Sequence, residues 1–90
     1  MQYSIFFKPS AQKALAKIPQ PDRRRIAKRI DRLADEPRPR DAKKLSTDTA
    51  LYRIRVGDYR VIYTVQDDVL LVVVVAVGHR RDVYERSADA

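Results

Sequence analysis

The sequence predicts an α+β fold in which two N-terminal helices pack on one face of a mostly antiparallel four-stranded sheet, in the order βααβββ with a short C-terminal tail. Three observations predict it. The opening run from Gln2 to Phe7 is rich in aromatic and β-branched residues, the composition of a strand. Two proline-bounded segments follow in which apolar residues recur at helical spacing. From Leu51 onward, alternating and then continuous apolar segments are separated by turn dipeptides, the mark of successive hairpin-linked strands.

Each element has its own local reasons. Lys8-Pro9 stops the first strand, and Pro9 suits the first turn of a helix whose missing N–H is of no consequence there. Ala11, Ala14, Leu15 and Ile18 carry that helix until Pro19 ends it. Pro21 and Asp22 open a second helix, with the carboxylate at the positive end of the dipole. Ile26, Ala27, Ile30, Leu33 and Ala34 form its single apolar stripe, and Arg23, Arg24, Lys28, Arg29 and Arg32 lie opposite. Pro37 and Pro39 stop it, and residues 37–50 read as a long polar connection. Leu51 to Val56 alternates, Gly57-Asp58 fits a two-residue hairpin loop, and Tyr59 to Val65 alternates again. After Asp67-Asp68, the stretch Val69 to Val77 is apolar at every position, which predicts a strand central in its sheet or covered on both faces, with the first strand beside it. No repeat or linker divides residues 1–90, so a single domain is expected.

Composition excludes several classes of function. The 90 residues contain no cysteine, which removes disulfide scaffolds, thiolate zinc sites and cysteine nucleophiles. His79 is the only histidine, and no acidic cluster offers a magnesium seat, so neither a metal nor another cofactor is expected. The longest apolar run is nine residues, against about twenty for a membrane span, so the expectation is a cytoplasmic protein with no membrane partner. The formal net charge of +7 resides in residues 1–50, and 13 of the 19 basic side chains are arginine. Guanidinium suits bidentate contacts with phosphate or carboxylate, so a nucleic acid is the first partner class and an acidic protein the second. Charge that merely maintains solubility explains the net value equally well.

The hairpin makes the charge specific. With Gly57-Asp58 as the loop, Val56 faces Tyr59, Arg55 faces Arg60 and Ile54 faces Val61. One surface then carries Tyr52, Ile54, Val56, Tyr59, Val61 and Tyr63, and it packs under the helices. The other carries Arg53, Arg55 and Arg60 among Ile62, Leu71, Val73 and Val75. Like charges opposed across strands cost about 0.2–1 kcal/mol per pair, a cost that a bound anion removes. Solvation, or neutralisation by Asp58, Asp67 or Asp82, is the competing account. The tail Gly78-His79-Arg80-Arg81-Asp82-Val83-Tyr84 leaves the last strand near the hairpin turn, which would bring Arg80, His79 and Tyr84 to the cluster.

Converging guanidinium groups without metal ligands match phosphodiester cleavage in RNA, where the 2′-hydroxyl is an internal nucleophile. Arginine stabilises charge on the phosphate oxygens but does not take up a proton, so the base falls to His79, Tyr84 or the bound assembly.

Leu51-Tyr-Arg-Ile-Arg-Val-Gly-Asp-Tyr-Arg-Val-Ile-Tyr63, the apolar strand and Val77-Gly-His-Arg-Arg-Asp-Val-Tyr84 together resemble the RelE branch of the RelE/ParE toxin superfamily, over essentially the whole chain. The resemblance implies a type II toxin that cleaves mRNA in the ribosomal A site without a metal, leaving a 2′,3′-cyclic phosphate and a 5′-hydroxyl. It implies an acidic RelB-like antitoxin that folds on binding, and the 70S ribosome with its mRNA and rRNA as partners. By position, Arg60 and Arg80 match arginines that hold the phosphate or stabilise the transition state, and Tyr84 matches a tyrosine that orients or activates the 2′-hydroxyl. Arg53 and Arg55 stand where the best-known relatives have lysines, so a lysine base is lost at those two positions. His79 aligns beside the catalytic positions. Arg24, Lys28, Arg29, Arg32, Lys43, Lys44 and Arg81 are the expected RNA and ribosome contacts. The alternative is the ParE branch, whose members share the scaffold and poison DNA gyrase without nuclease activity.

Overall fold

The computed structural model describes residues 2–45 and 50–79. The strands are β1 (Ser4–Phe7), β2 (Lys43–Lys44), β3 (Leu51–Val56), β4 (Tyr59–Gln66) and β5 (Leu71–His79); the helices are α1 (Pro9–Ala16) and α2 (Gln20–Arg32). The sheet order is β1-β5-β4-β3-β2, with β1 parallel to β5 and every other pair antiparallel. This is the expected α+β arrangement with a fifth strand added at one edge. Lys43-Lys44 carries no apolar alternation, so nothing in its side chains marks a strand. It pairs because the outer edge of β3 presents backbone donors and acceptors that a passing segment satisfies.

Both helices lie on the same face. α1 packs on β5 and α2 on β3. Ile26, Ile30 and Leu33 are fully buried, as the stripe predicts, against Ile54, Val61, Tyr63, Val72 and Val74 of the sheet. α2 ends at Arg32, before the prolines, in a tighter turn where Leu33 N–H donates to the Ile30 carbonyl at 2.9 Å. The Tyr3 N–H donates to the Ala34 carbonyl at 2.7 Å, which satisfies one of the carbonyls left open just past the helix end.

β5 is shifted by two residues from the apolar run. Gln66 pairs with Leu71, so residues 67–70 form the turn, Val69 is exposed, and Leu70 adopts φ 52°. At the other end Gly78 and His79 join the strand because Arg60 and Tyr59 are there to pair with them. A bulge lies between Ile62↔Ala76 and Tyr63↔Val74, leaving Val75 as the extra residue. Past it the alternation of β5 reverses, so Ala76 and Gly78, rather than Val75 and Val77, share the face of Ile62 and Arg60.

A polar hub fastens the end of the sheet remote from the Gly57 turn. Arg38 grips Asp67 bidentately at 2.6 and 3.2 Å, and its Nε donates to the Tyr52 hydroxyl at 3.0 Å. Tyr3 donates to Asp67 Oδ1 at 2.6 Å. The Arg38 guanidinium lies 5.5 Å from the centre of the Tyr52 ring, which stacks on Tyr63. Hydrogen bonds from Arg38 and then Tyr3 hold the Asp67 carboxyl below its usual range, and the same carboxylate pushes the Tyr3 hydroxyl upward. The Asp67 contribution to stability is therefore complete above about pH 4, the unfolded value, and is lost as pH falls through the lower folded value. The Tyr3 contribution has the opposite sense, present below about pH 10 and lost above it. In thermal melts, Asp67→Asn is expected to lower Tm at pH 7 and to shrink the loss seen on acidification. A variant that loses as much on acidification as the parent would remove Asp67 from this account.

Candidate functional site

The face of the sheet away from the helices carries two successive rows of cations. In one row Lys43 pairs with Arg53, which pairs with Ile62 and onward with Ala76. In the next, Arg55 pairs with Arg60, and Arg60 with Gly78. The register is the one that the Gly57-Asp58 loop dictates; Gly57 supplies φ 60° for the turn. Each row sets two like charges directly opposite each other, an arrangement that works against stability.

These cations differ in depth. Arg53 is only 7% exposed, although it lies on the face that neither α1 nor α2 covers. Its Nε, and the Nε and Nη1 of Arg60, are shielded from solvent, while Arg55 and Lys43 are exposed. Arg53 and Arg60 are both held by interactions within the chain. Ile62, buried in the Arg53 row, and the small residues Ala76 and Gly78 continue the two rows onto β4 and β5. The result is a positively charged surface with part of its charge already desolvated, where attraction to an anion is stronger than on an open surface.

His79 is not part of it. It pairs with Tyr59 on the helix side of the sheet, and the two rings meet edge to face at 5.9 Å between centroids. The expectation that His79 joins the arginines fails for a geometric reason: it is one residue past Gly78, and successive strand residues point to opposite faces. Arg80, Arg81 and Tyr84 lie outside the described residues.

A second basic surface occupies the helix side. Arg25, Lys28, Arg29 and Arg32 of α2, with Arg55, Val56 and Gly57 of the hairpin, line an open cleft of about 350 Å³. Lys28, Arg29 and Arg32 were expected in a ligand-contacting set, whereas Arg25 was not singled out. Its guanidinium lies 3.5 Å from where a side chain on Gly57 would begin, an ordinary van der Waals distance. Arg29 is anchored to Asp41 at 2.5 Å and Arg25 to Asp22 at 3.4 Å. Arg24 is exposed on α2 outside this lining, and Lys44, opposite Tyr52, faces away from the arginine rows. Arg55 contributes to both surfaces, because it lies where β2 no longer covers the edge of β3.

Fold and charge define a class: a small, basic α+β protein with cationic surfaces on both sides of its sheet. The family model of the ParE toxin of the type II toxin–antitoxin system parDE matches residues 5–84. A RelE-like toxin protein of Escherichia coli is 30% identical over 92 residues, covering 99% of this chain and 97% of that protein. RelE in the archaeal RelE–RelB complex of Pyrococcus horikoshii OT3 superimposes with a TM-score of 0.77 at 32% identity, over 91% of this chain and 99% of that one. A double arginine-to-alanine mutant of Escherichia coli RelE in the free state gives a TM-score of 0.81 at 27% identity, over 99% and 97%. The toxin of the RelBE2 complex of Mycobacterium tuberculosis gives 0.77 at 28%, over 89% and 100%. The chain belongs to the RelE/ParE toxin superfamily, on its RelE branch.

Proposed function

We propose that this RelE-like toxin is a ribosome-dependent endoribonuclease that cleaves mRNA in the A site by attack of the 2′-hydroxyl on the adjacent phosphate. The observation that carries the reading is the pairing of Arg55 with Arg60 beside the buried Arg53. Two opposed guanidinium groups with a third partly desolvated fit the charge of a phosphate passing through a pentacoordinate transition state. Their charge is fixed, so the site is ready before the substrate arrives. The 2′-oxygen bonds to phosphorus, the bond to the 5′-oxygen breaks, and the cyclic phosphate remains on the upstream fragment. The protein supplies alignment and charge; the nucleophile belongs to the RNA. Arg80 and Tyr84 complete this site by resemblance.

The cleft beneath α2 serves attachment. It contains charged groups and no aromatic platform for bases, which suits the phosphate backbone of rRNA. Reversing Lys28 and Arg32 to glutamate is expected to weaken ribosome association and to flatten its dependence on salt, as read by pelleting across a salt series. Binding that keeps the parent's salt slope would take the cleft out of this role.

The partner that restrains the toxin is an acidic RelB-like antitoxin. The relatives from Pyrococcus horikoshii and Mycobacterium tuberculosis were solved as complexes with theirs. Exposed Phe6, with Leu71 and Val73 in neighbouring pairs, places an apolar strip beside the cations, and an amphipathic acidic segment satisfies both.

A second reading, a ParE-like toxin that binds and poisons DNA gyrase, is favoured by the family model that the chain matches. Induction followed by primer extension separates the two: cleavage within translated codons supports the nuclease. Intact transcripts with gyrase-linked DNA breaks support the gyrase poison.

A further inference from the structure

We infer that Lys43 belongs to the phosphodiester site and is its proton acceptor, taking the proton of the attacking 2′-hydroxyl. The inference rests on the cleavage reading above and answers a question that the arginine rows leave open. Attack requires that the 2′-oxygen lose a proton, and a guanidinium does not take one up. Among the described residues, His79 is on the opposite face and Asp58 lies in the turn, outside the paired rows. Thr64 and Gln66, further along the arginine face, have no basic nitrogen. Lys43 does, and the β2–β3 pairing sets it directly across from Arg53 on that face.

Position and environment both suit the task. β2 and β4 are two strand spacings apart, roughly 10 Å, a gap that an extended lysine and an extended arginine close from either side onto one phosphate. The short strand gives Lys43 a defined place, since the Leu45 N–H donates to the Leu51 carbonyl at 2.9 Å just beyond it. Lys43 is exposed, so RNA reaches it, whereas Arg53 beneath is buried. Among the described residues, the charged groups around it are Arg53 across the ladder and Arg55 in the next row; Asp41, two residues earlier, is taken up by Arg29. The exchange is complete without a metal: the O2′–P bond forms, the 2′ proton passes to the neutral amine, the P–O5′ bond breaks, and the 5′-oxygen leaves with a proton from water.

Single-turnover cleavage on programmed 70S ribosomes, with pelleting for association and a thermal melt for integrity, tests this on wild type, Lys43→Arg and Lys43→Ala. Lys43→Arg keeps the charge and removes the acceptor, so it is expected to bind like wild type and to cleave about 100-fold more slowly, as Lys43→Ala does. The wild-type rate should climb with pH, and that of Lys43→Arg should stay flat. Lys43→Arg cleaving within a few-fold of wild type overturns the inference, as does loss of binding in proportion to loss of cleavage. Wild type that binds and does not cleave removes the nuclease reading itself, and this inference with it.

Discussion

Arg60→Ala is expected to abolish growth arrest on induction and to reduce mRNA cleavage by a factor on the order of 10²–10³, the usual cost of deleting a preorganised donor to a developing anion. Arg60 is the member of its row with the most shielded nitrogen atoms, so its charge acts through the least solvent. The substitution also removes one half of the opposed pair with Arg55, a repulsion of about 0.2–1 kcal/mol, which offsets part of the loss of the interactions that hold Arg60, and a folded protein is expected. Transcript ends mapped after induction read the first effect, and the melting temperature reads the second. A folded Arg60→Ala protein that arrests growth and cuts transcripts like its parent would remove the arginine rows from the chemistry.

Tyr63→Ala is expected to be the most damaging single core substitution, by about 3–5 kcal/mol, in the range found for large aromatic deletions. Tyr63 is fully buried at the centre of the sheet, stacks on Tyr52, and donates its hydroxyl proton to the Pro37 carbonyl at 2.7 Å. That bond ties the segment after α2 to β4, and burial pushes the hydroxyl well above its ordinary pKa. Tyr63→Phe isolates the hydrogen bond and is expected to cost about 1–3 kcal/mol, the price of leaving a buried carbonyl unsatisfied. For a domain of this size each kcal/mol lowers Tm by roughly 4–8 °C, so the two variants are separable in one melting experiment. If Tyr63→Phe melts with the parent, water reaches the Pro37 carbonyl and the tie is not structural.

Elements with strong local signals were legible in the sequence, and the rest were not. The Gly57-Asp58 hairpin can be read to the residue because a two-residue loop admits one register, and that register alone opposes Arg55 to Arg60. The α2 stripe is equally plain, since three of its aliphatic residues are fully buried. The misplaced ends of β5 have a physical cause: an uninterrupted apolar run does not indicate where it begins to pair, and pairing is decided by β4. The Arg38–Asp67–Tyr3 hub joins residues far apart in the chain through polar groups that have no periodicity, so no window of sequence contains it.

By itself the sequence determined the α+β class, the order of elements, the face on which Arg53, Arg55 and Arg60 lie, and the basic character of α2. All of these follow from local periodicity, turn geometry and composition. Only the tertiary structure decided that Lys43 stands across from Arg53, that His79 turns to the helix side, and that Arg55 adjoins the α2 cleft. Those outcomes depend on which strands become neighbours and where a bulge or edge interrupts them, a global balance of backbone pairing and burial that no short segment encodes.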